Sequence, residues 1–302
     1  MTGSRLARLE AIGETRIHTG RPSEPAEFVE RIRDANALLL GWDLPTEVMQ
    51  AAASLELIAF TGIGVGTYVD LDAAARQGIT VTNTPGYADR TVAEHALALM
   101  MALARKIPEQ DAHLKQGRWE PAAGIELAGK HLGIIGFGGI GQRMAVLGKA
   151  IGMSVSVWTR NPDRYTGFKD IEFTALEPLL ARADVVSVHI ALGEDTEGLL
   201  DAERLGRMRE GALLVNTARG AVVDESALLA ALESGHLGGA ALDVFTQEPL
   251  PADSPLANHS RVVATPHSAY NTPEATIALY EKAIEAIESY HQGAPRYVVT
   301  AQ

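Results

Sequence analysis

The chain has 302 residues, and because single hydrophobic cores rarely grow much past about 250 residues, this length favours two domains. Hydrophobic residues make up 46% of the chain and charged residues 21%, which is ordinary for a globular protein and excludes a disordered, collagen-like or coiled-coil chain. The absence of cysteine excludes disulfides, thiolate metal sites and a cysteine nucleophile, and we expect no bound metal.

Charge and hydropathy limit the partners. The 38 acidic residues outnumber the 26 basic ones, the net charge is −12 and no run of Lys or Arg occurs, so nucleic acid is not expected as a main partner. The longest apolar run, 96–104, is far shorter than the roughly 20 residues of a membrane span. The N-terminus lacks the apolar segment of a secretory signal. We therefore expect no membrane contact and a cytoplasmic location.

Apolar, strand-like runs alternate with helical patterns along the chain. Such alternation predicts βαβ units and an α/β fold, and runs rich in Val, Ile and Leu are typical of parallel strands that are covered on both faces. The predicted strands are 37–40, 55–60, 79–82, 131–135, 154–158, 185–190, 212–216, 240–245 and 261–264. The predicted helices are 5–12, 45–53, 70–77, 91–107, 140–151 and 273–291.

The helix at 91–107 differs from the others in its composition. Thr91 and Glu94 have the spacing of a capping box at its start, and Pro108 is predicted to end it. Its residues are apolar nearly all round, which predicts burial against another domain or a second subunit.

A glycine-rich loop follows the predicted strand 131–135. Its Gly-x-Gly-x-x-Gly pattern lies between a strand and a helix, which favours a dinucleotide site over a structural turn. The first glycine permits a tight turn, the second lets the backbone approach a pyrophosphate, and the third allows close packing of helix and strand. The phosphates are predicted at the N-terminus of the following helix. The residues concerned are Gly136, Gly138, Gly139, Ile140 and Gly141.

The end of the next predicted strand bears on the choice of cofactor. An acidic residue that binds ribose hydroxyls is expected there, but no Asp or Glu occurs between Gly141 and Asp163. Thr159 and Arg160 occupy the strand end instead. A guanidinium at this place suits a 2′-phosphate, so we expect NADP to be preferred, with NAD possible; the alternative is a surface arginine without a ligand.

Four predicted strands end in polar residues. Ligands of open parallel sheets bind at the carboxyl ends of strands, so these residues are candidates for one site. The strand ends are marked by His189, by the segment from Asn216 to Gly220, by Asp243 and by His267.

Together with the glycine loop, three motifs resemble the D-isomer-specific 2-hydroxyacid dehydrogenase family. They are the segments 216–220 (Asn-Thr-Ala-Arg-Gly), 243–249 (Asp-Val-Phe-Thr-Gln-Glu-Pro) and 265–269 (Thr-Pro-His-Ser-Ala). The resemblance continues through 61–66, 83–86 and 91–95, so it covers most of the chain. It implies a Rossmann-type doubly wound parallel sheet at 91–271, inserted into a smaller flavodoxin-like substrate domain formed by 1–90 and 272–302. A homodimer is also implied, with the helix 91–107 contributing to the contact.

The resemblance further assigns roles to single residues. The catalytic Arg, Glu and His of the family fall on Arg219, Glu248 and His267. Reduction of a 2-oxo acid needs a hydride, a proton for the developing alkoxide and a cation for the carboxylate. His267 can supply the proton, Glu248 can orient the imidazole, and Arg219 can bind the carboxylate through its planar donors.

Other assignments concern the ligands. Backbone N–H groups at Gly64 and Val65 are implied for the substrate carboxylate, Asp243 for the nicotinamide amide, and Ala218 for the cofactor. A cofactor-facing and a structural role remain equally open for His189.

The implied activity is reduction of a small 2-oxo acid of the glyoxylate or hydroxypyruvate type. Two alternatives remain: an NAD-dependent D-3-phosphoglycerate dehydrogenase, and a nucleotide-sensing binding protein similar to corepressors. Two features disfavour the phosphoglycerate dehydrogenase. The uncharged pair Phe60 and Thr61 stands where phosphoglycerate-specific members tend to have a basic residue, and no regulatory domain follows Gln302.

The sequence also lacks the first strand of the family's substrate domain, because the chain opens in the helical pattern 5–12. Either coding sequence upstream supplies that strand, or the sheet is rearranged.

Overall fold

The computed structural model describes residues 3–299 and divides the chain into two compact units. One unit comprises the residues up to Ala88 and those from Thr272 onward, and the other comprises Asp89–Asn271. The strands are β1 (Ala37–Leu40), β2 (Leu57–Phe60), β3 (Thr80–Thr82), β4 (His131–Ile135), β5 (Ser154–Trp158), β6 (Glu172–Phe173), β7 (Val185–Val188), β8 (Leu213–Asn216), β9 (Gly239–Leu242) and β10 (Val262–Ala264). The helices are α1 (Gly3–Glu10), α2 (Pro25–Ile32), α3 (Thr46–Ala51), α4 (Leu71–Arg76), α5 (Asp89–Ala104), α6 (Ile107–Lys115), α7 (Gly139–Ala150), α8 (Leu176–Arg182), α9 (Ala202–Arg207), α10 (Glu225–Glu233) and α11 (Pro273–His291).

The smaller unit is built on a three-stranded parallel sheet in the order β1-β2-β3. All four residues of β2 are buried, and they alternate between the two faces of the sheet. Leu57 and Ala59 join a cluster with α1 and α11, whereas Ile58 and Phe60 join the cluster formed by α2, α3 and α4. The central strand is therefore covered on both sides, which explains its continuous apolar sequence.

The start of this unit is helical, as the sequence predicts. Arg5 and Arg8 of α1 form ion pairs with Glu281 of α11, and Arg8 also pairs with Glu288. Within residues 3–299, no strand precedes β1. The three-stranded sheet is thus assembled with α1 docked on α11.

The larger unit contains a seven-stranded parallel sheet in the order β10-β9-β8-β7-β4-β5-β6. The chain order reverses between β4 and β7, which makes this point the crevice where Rossmann-type sheets bind dinucleotides. Ile135 is paired with both Trp158 and Val188, and Asn216 is paired with both Val188 and Leu242. Because these five strands end at one level, the residues that follow them lie along a single edge.

Helices cover both faces of the larger sheet. The cluster on one face includes residues of α5 and α7, and the cluster on the other includes residues of α8, α9 and α10. α5 packs against α7, β8, β9 and β10, so its apolar side is buried within its own unit.

Two details of the predicted helix 91–107 are wrong. It begins at Asp89, so Thr91 lies inside the helix, and it ends at Ala104. Lys106 adopts a left-handed conformation with φ 52°, which breaks the helix before Pro108 is reached. Pro108 stands in the first turn of α6, a position that tolerates the missing N–H of proline.

None of the helices within residues 3–299 is long and apolar enough to cross a membrane.

Candidate active site

The glycine loop joins β4 to α7 at the point where the strand order reverses. Gly136 has φ 96°, and a Cβ placed there would lie 2.4 Å from the carbonyl oxygen of His189. A Cβ at Gly141 would lie 2.1 Å from the carbonyl oxygen of Gly136, whereas a Cβ at Gly138 would meet nothing within 4 Å. The first and third glycines are therefore needed for packing, and the second faces open space that a phosphate could fill.

The first turn of α7 carries an acidic neighbour that sequence reasoning missed. α7 starts at Gly139 and continues through Ile140, so the N–H groups of both residues belong to its N-terminal turn. A Cβ at Gly139 would lie 1.7 Å from Oδ2 of Asp89. Glycine at 139 thus makes room for the Asp89 carboxylate beside this turn. The sequence does not indicate this contact, since 50 residues of chain separate Asp89 from Gly139.

The end of β5 lies beside the glycine loop, because the N–H of Gly136 donates to the carbonyl oxygen of Trp158 at 2.8 Å. Thr159 follows and is half-buried, and Arg160 is exposed. Arg164 is also exposed. Two positively charged side chains therefore lie close in sequence to the place where an acidic residue would bind ribose hydroxyls.

His189 directly follows β7, and its imidazole is mostly enclosed. Its Nε2 lies 2.8 Å from the hydroxyl of Ser187, whereas its Nδ1 is buried and has no hydrogen-bond partner within residues 3–299. Burial lowers the pKa of His189 from 6.5 to about 4, because the charged ring loses hydration. The ring is therefore neutral near pH 7. On the neighbouring strand end, the buried hydroxyl of Thr217 also has no partner in that part of the chain.

The loop after β8 is held by the side chain of Asn216. Its Oδ1 accepts from the N–H of Ala218 at 3.0 Å, and its Nδ2 donates to the carbonyl oxygen of Arg219 at 2.9 Å. The Arg219 guanidinium donates one bond to the carbonyl oxygen of Ala218 at 2.7 Å. A Cβ at Gly220 would lie 2.0 Å from the carbonyl carbon of Phe245, so this loop contacts the segment after β9.

Asp243 follows β9 and is completely buried. Its Oδ1 accepts from the hydroxyl of Thr265 at 2.6 Å and from the N–H of Ser268 at 2.8 Å, and its Oδ2 accepts from the N–H of Ala269 at 2.9 Å. The N–H of His267 donates to the backbone carbonyl of Asp243 at 2.7 Å. Asp243 therefore organises the loop 265–269, a function that the sequence did not indicate.

Glu248 and His267 form a direct pair. Oε2 of Glu248 lies 2.6 Å from Nδ1 of His267, and Oε1 accepts from the N–H of Phe245 at 2.9 Å. Each side chain is about one third exposed, at 35% for Glu248 and 36% for His267. An ionised carboxylate only accepts hydrogen bonds, so Nδ1 carries the proton between them and Nε2 is left for another partner.

The two residues expected to bind the substrate carboxylate lie in the smaller unit. Val65 is buried, and its N–H donates to the carbonyl oxygen of Ile63 at 3.0 Å. Gly64 precedes it at the start of a short 3₁₀ turn. Of the two N–H groups, that of Val65 is therefore already used inside its own unit.

The larger unit suits a dinucleotide cofactor. Open space faces Gly138, and the buried polar atoms of His189 and Thr217 lie on the edge of the sheet that carries the glycine loop. Within residues 3–299 no group of His, Cys, Asp or Glu could hold a metal ion.

Comparison with known proteins identifies relatives across most of the chain. The family described as D-isomer specific 2-hydroxyacid dehydrogenase, NAD binding domain, matches residues 97–269. A glyoxylate reductase of Korarchaeum cryptofilum is 38% identical over 90% of this chain and 84% of its own length. A D-3-phosphoglycerate dehydrogenase of Archaeoglobus fulgidus is 38% identical over 93% of this chain, but the chain spans only 54% of that relative. The solved structure of an acyclic imino acid reductase in complex with NADPH and D-Arg has a TM-score of 0.87 and 28% identity, and the match covers 99% of this chain and 96% of that one.

Proposed function

The chain belongs to the D-isomer-specific 2-hydroxyacid dehydrogenase family, and we propose that it reduces a small 2-oxo acid of the glyoxylate or hydroxypyruvate type in the cytoplasm, with NADPH as the preferred reductant. It is an oxidoreductase that transfers a hydride between a nicotinamide cofactor and a 2-oxo acid or D-2-hydroxy acid. The observation that carries the proposal on mechanism is the Glu248–His267 pair: the carboxylate engages Nδ1, so Nε2 of the imidazolium form can donate its proton.

Three side chains carry the proposed chemistry. A bound reduced nicotinamide supplies the hydride that the carbonyl carbon receives. His267 gives the proton on Nε2 to the carbonyl oxygen, and Glu248 stabilises the imidazolium before that transfer. Arg219 binds the substrate carboxylate through its planar guanidinium.

The two units have separate proposed tasks. The unit around the seven-stranded sheet, 91–271, holds the cofactor, and the residues 1–90 and 272–302 form the substrate domain. Within the substrate domain, the N–H of Gly64 is the better candidate for a substrate carboxylate, because the N–H of Val65 is bonded to the carbonyl oxygen of Ile63. Val65 then contributes by fixing the turn.

Cofactor preference rests on the end of β5. Arg160 and Arg164 are exposed, and neither side chain has a hydrogen bond or ion pair within residues 3–299, so their guanidinium groups can turn toward a 2′-phosphate. Each charge-assisted hydrogen bond contributes about 1.5–3 kcal/mol, and screening at an exposed site favours the lower value. At about 1.4 kcal/mol per decade, we expect NADPH to be favoured at least about tenfold over NADH. The hydroxyl of Thr159 accommodates either nucleotide without charge repulsion.

Direct titration of both reduced cofactors tests this preference. Arg160→Ala should remove most of the difference between the two dissociation constants, whereas Arg33→Ala, at an exposed site on the other unit, should keep it. Tighter binding of NADH than of NADPH by the unaltered protein would contradict the assignment.

A homodimer is proposed from exposed apolar side chains around α6. Ile107, Leu114 and Ile125 are exposed by 53%, 56% and 41%, and Trp119 by 88%. Exposed apolar groups concentrated in one segment are typical of an interaction surface. Sedimentation equilibrium should give a dimer, and Trp119→Glu should weaken it; a monomeric unaltered protein would contradict the proposal.

Turnover of a panel of 2-oxo acids tests the substrate class. Glyoxylate and hydroxypyruvate should give the highest kcat/KM, and pyruvate and phosphohydroxypyruvate lower values. Best turnover of phosphohydroxypyruvate would instead favour the phosphoglycerate type that the Archaeoglobus fulgidus relative represents. Tight cofactor binding without turnover of any 2-oxo acid would favour a nucleotide-sensing protein.

A further inference from the structure

We propose that His95 is a positioning residue that holds, through Thr265 and Asp243, the loop on which His267 stands. The role rests on the proposed function of His267, because a positioning residue acts only through the group that it positions. His95 lies on the second turn of α5, far in sequence from the loop, and the sequence analysis assigns it no role.

The direction of the hydrogen bonds follows from the donors available. Nε2 of His95 lies 3.0 Å from Oγ1 of Thr265, whose hydroxyl lies 2.6 Å from Oδ1 of Asp243. An ionised carboxylate cannot donate, so the single hydroxyl proton of Thr265 points to Asp243. The Thr265 oxygen therefore accepts from His95, and Nε2 of His95 carries a proton. Nε2 is also 3.6 Å from Oδ1 of Asp243, too far for a hydrogen bond but close enough for attraction.

The loop needs support because His267 has φ 48°. A residue other than glycine is disfavoured in this left-handed region, and such strain persists only where the surroundings impose it. Asp243 imposes it through its carbonyl bond to the N–H of His267 and through its carboxylate bonds to Ser268 and Ala269. Thr265 attaches the other end of the loop to the same carboxylate.

His95 completes this arrangement by fixing the hydroxyl rotor of Thr265. Without the imidazole donor, the hydroxyl can rotate away from Asp243 or share its proton with another acceptor. The buried carboxylate would then lose one of its three donors, and a buried carboxylate depends on such donors. The side chain of His95 is 26% exposed, so its replacement disturbs a partly open site and not a closed core.

Paired variants separate positioning from packing. His95→Leu removes the donor and keeps an apolar body, whereas His95→Gln keeps an N–H donor. Displacement of a reacting group by about 1 Å can cost about a hundredfold in rate, so we expect His95→Leu to lower kcat about 10- to 100-fold. KM for the 2-oxo acid, the Kd for NADPH and Tm should change little, and His95→Gln should recover most of kcat.

Thr265 offers a second route to the same conclusion. Thr265→Val should lower kcat as His95→Leu does, and Thr265→Ser should retain it. Because the two residues act as one unit, the double variant His95→Leu/Thr265→Val should be no slower than the slower single variant. Equal kcat for His95→Leu and the unaltered protein would overturn the proposal, as would independent, multiplicative effects of the two substitutions.

Amide hydrogen exchange of residues 265–269 tests the proposal without turnover. His95→Leu should speed exchange at Ser268 and Ala269 by about tenfold or more, because their carboxylate acceptor becomes less well fixed. Unchanged exchange would refute the positioning role even if the protein reduced no 2-oxo acid. Failure of the proposed function would instead appear as absent turnover together with faster exchange in the variant.

Discussion

His189 should make the stability of the fold depend on pH in a way that one substitution removes. Its Nδ1 is buried without a partner within residues 3–299, and its Nε2 contacts Ser187, so protonation would place an unpaired charged donor in the interior. Burial lowers the pKa of this histidine from 6.5 to about 4. His189→Gln keeps a polar group for Ser187 and cannot titrate in this range.

The sign follows from which state binds the proton first. Below pH 6.5 the unfolded chain protonates His189, whereas the folded protein does so only near pH 4, so the free energy of unfolding falls as the pH decreases through this interval. At about 1.36 kcal/mol per pH unit, the contribution lost by pH 4 is about 3 kcal/mol. Above pH 6.5 it is fully present. Carboxylates also titrate in this range, so only the difference between variants isolates the histidine.

Urea unfolding at several pH values between 4 and 7.5 measures this difference. The unaltered protein should lose about 3 kcal/mol more than His189→Gln between pH 7 and pH 4. His18→Gln, the same replacement at an exposed histidine, serves as the matched control. Parallel curves for the unaltered protein and His189→Gln would refute the reasoning.

Three further predictions test the site and its scaffold. His267→Ala should lower kcat, measured by steady-state and single-turnover kinetics, by about two to four orders of magnitude. The Kd for NADPH, measured by fluorescence titration, should change little. A near-normal kcat would exclude the proton-donor role. Gly138→Ala should leave Tm nearly unchanged but weaken NADPH binding, because its Cβ would enter only the space left for a phosphate. Gly141→Ala should instead lower Tm, because its Cβ would lie 2.1 Å from the backbone oxygen of Gly136. The reverse order of the two Tm values would contradict the account of the loop. Asp70→Ala should reduce the free energy of unfolding by about 0.5–2 kcal/mol in urea titrations, because Asp70 caps α4 by accepting from the N–H of Ala73; no change would show that the cap is dispensable.

The strands could be predicted because short apolar runs in the local sequence indicate which segments are buried. β1, β4 and β5 have the predicted bounds, and each is followed directly by a glycine or a polar residue that marks its end. Glycines at 136, 138 and 141 could likewise be read from their spacing. The polar residues at strand ends follow from the parallel topology, which brings carboxyl ends to one edge.

Contacts between distant segments could not be predicted in the same way. Asp89 lies against Gly139, and His95 reaches Thr265, only because α5 packs beside α7 and β10. The end of α5 at Ala104 could not be predicted, because a lysine at 106 does not by itself indicate a left-handed backbone. Proline does indicate a helix boundary, so the sequence places the end of the helix at Pro108 instead. Similarly, nothing in the sequence indicated that Ile63 uses the N–H of Val65.

The configuration of the product tests the central claim most directly. Hydroxypyruvate and NADPH should be incubated with the unaltered protein and with His267→Ala, and the glycerate formed should be resolved by chiral chromatography. The account predicts D-glycerate from the unaltered protein and at most about one hundredth of that rate from the variant. L-glycerate, or equal rates of D-glycerate formation by both proteins, would contradict it.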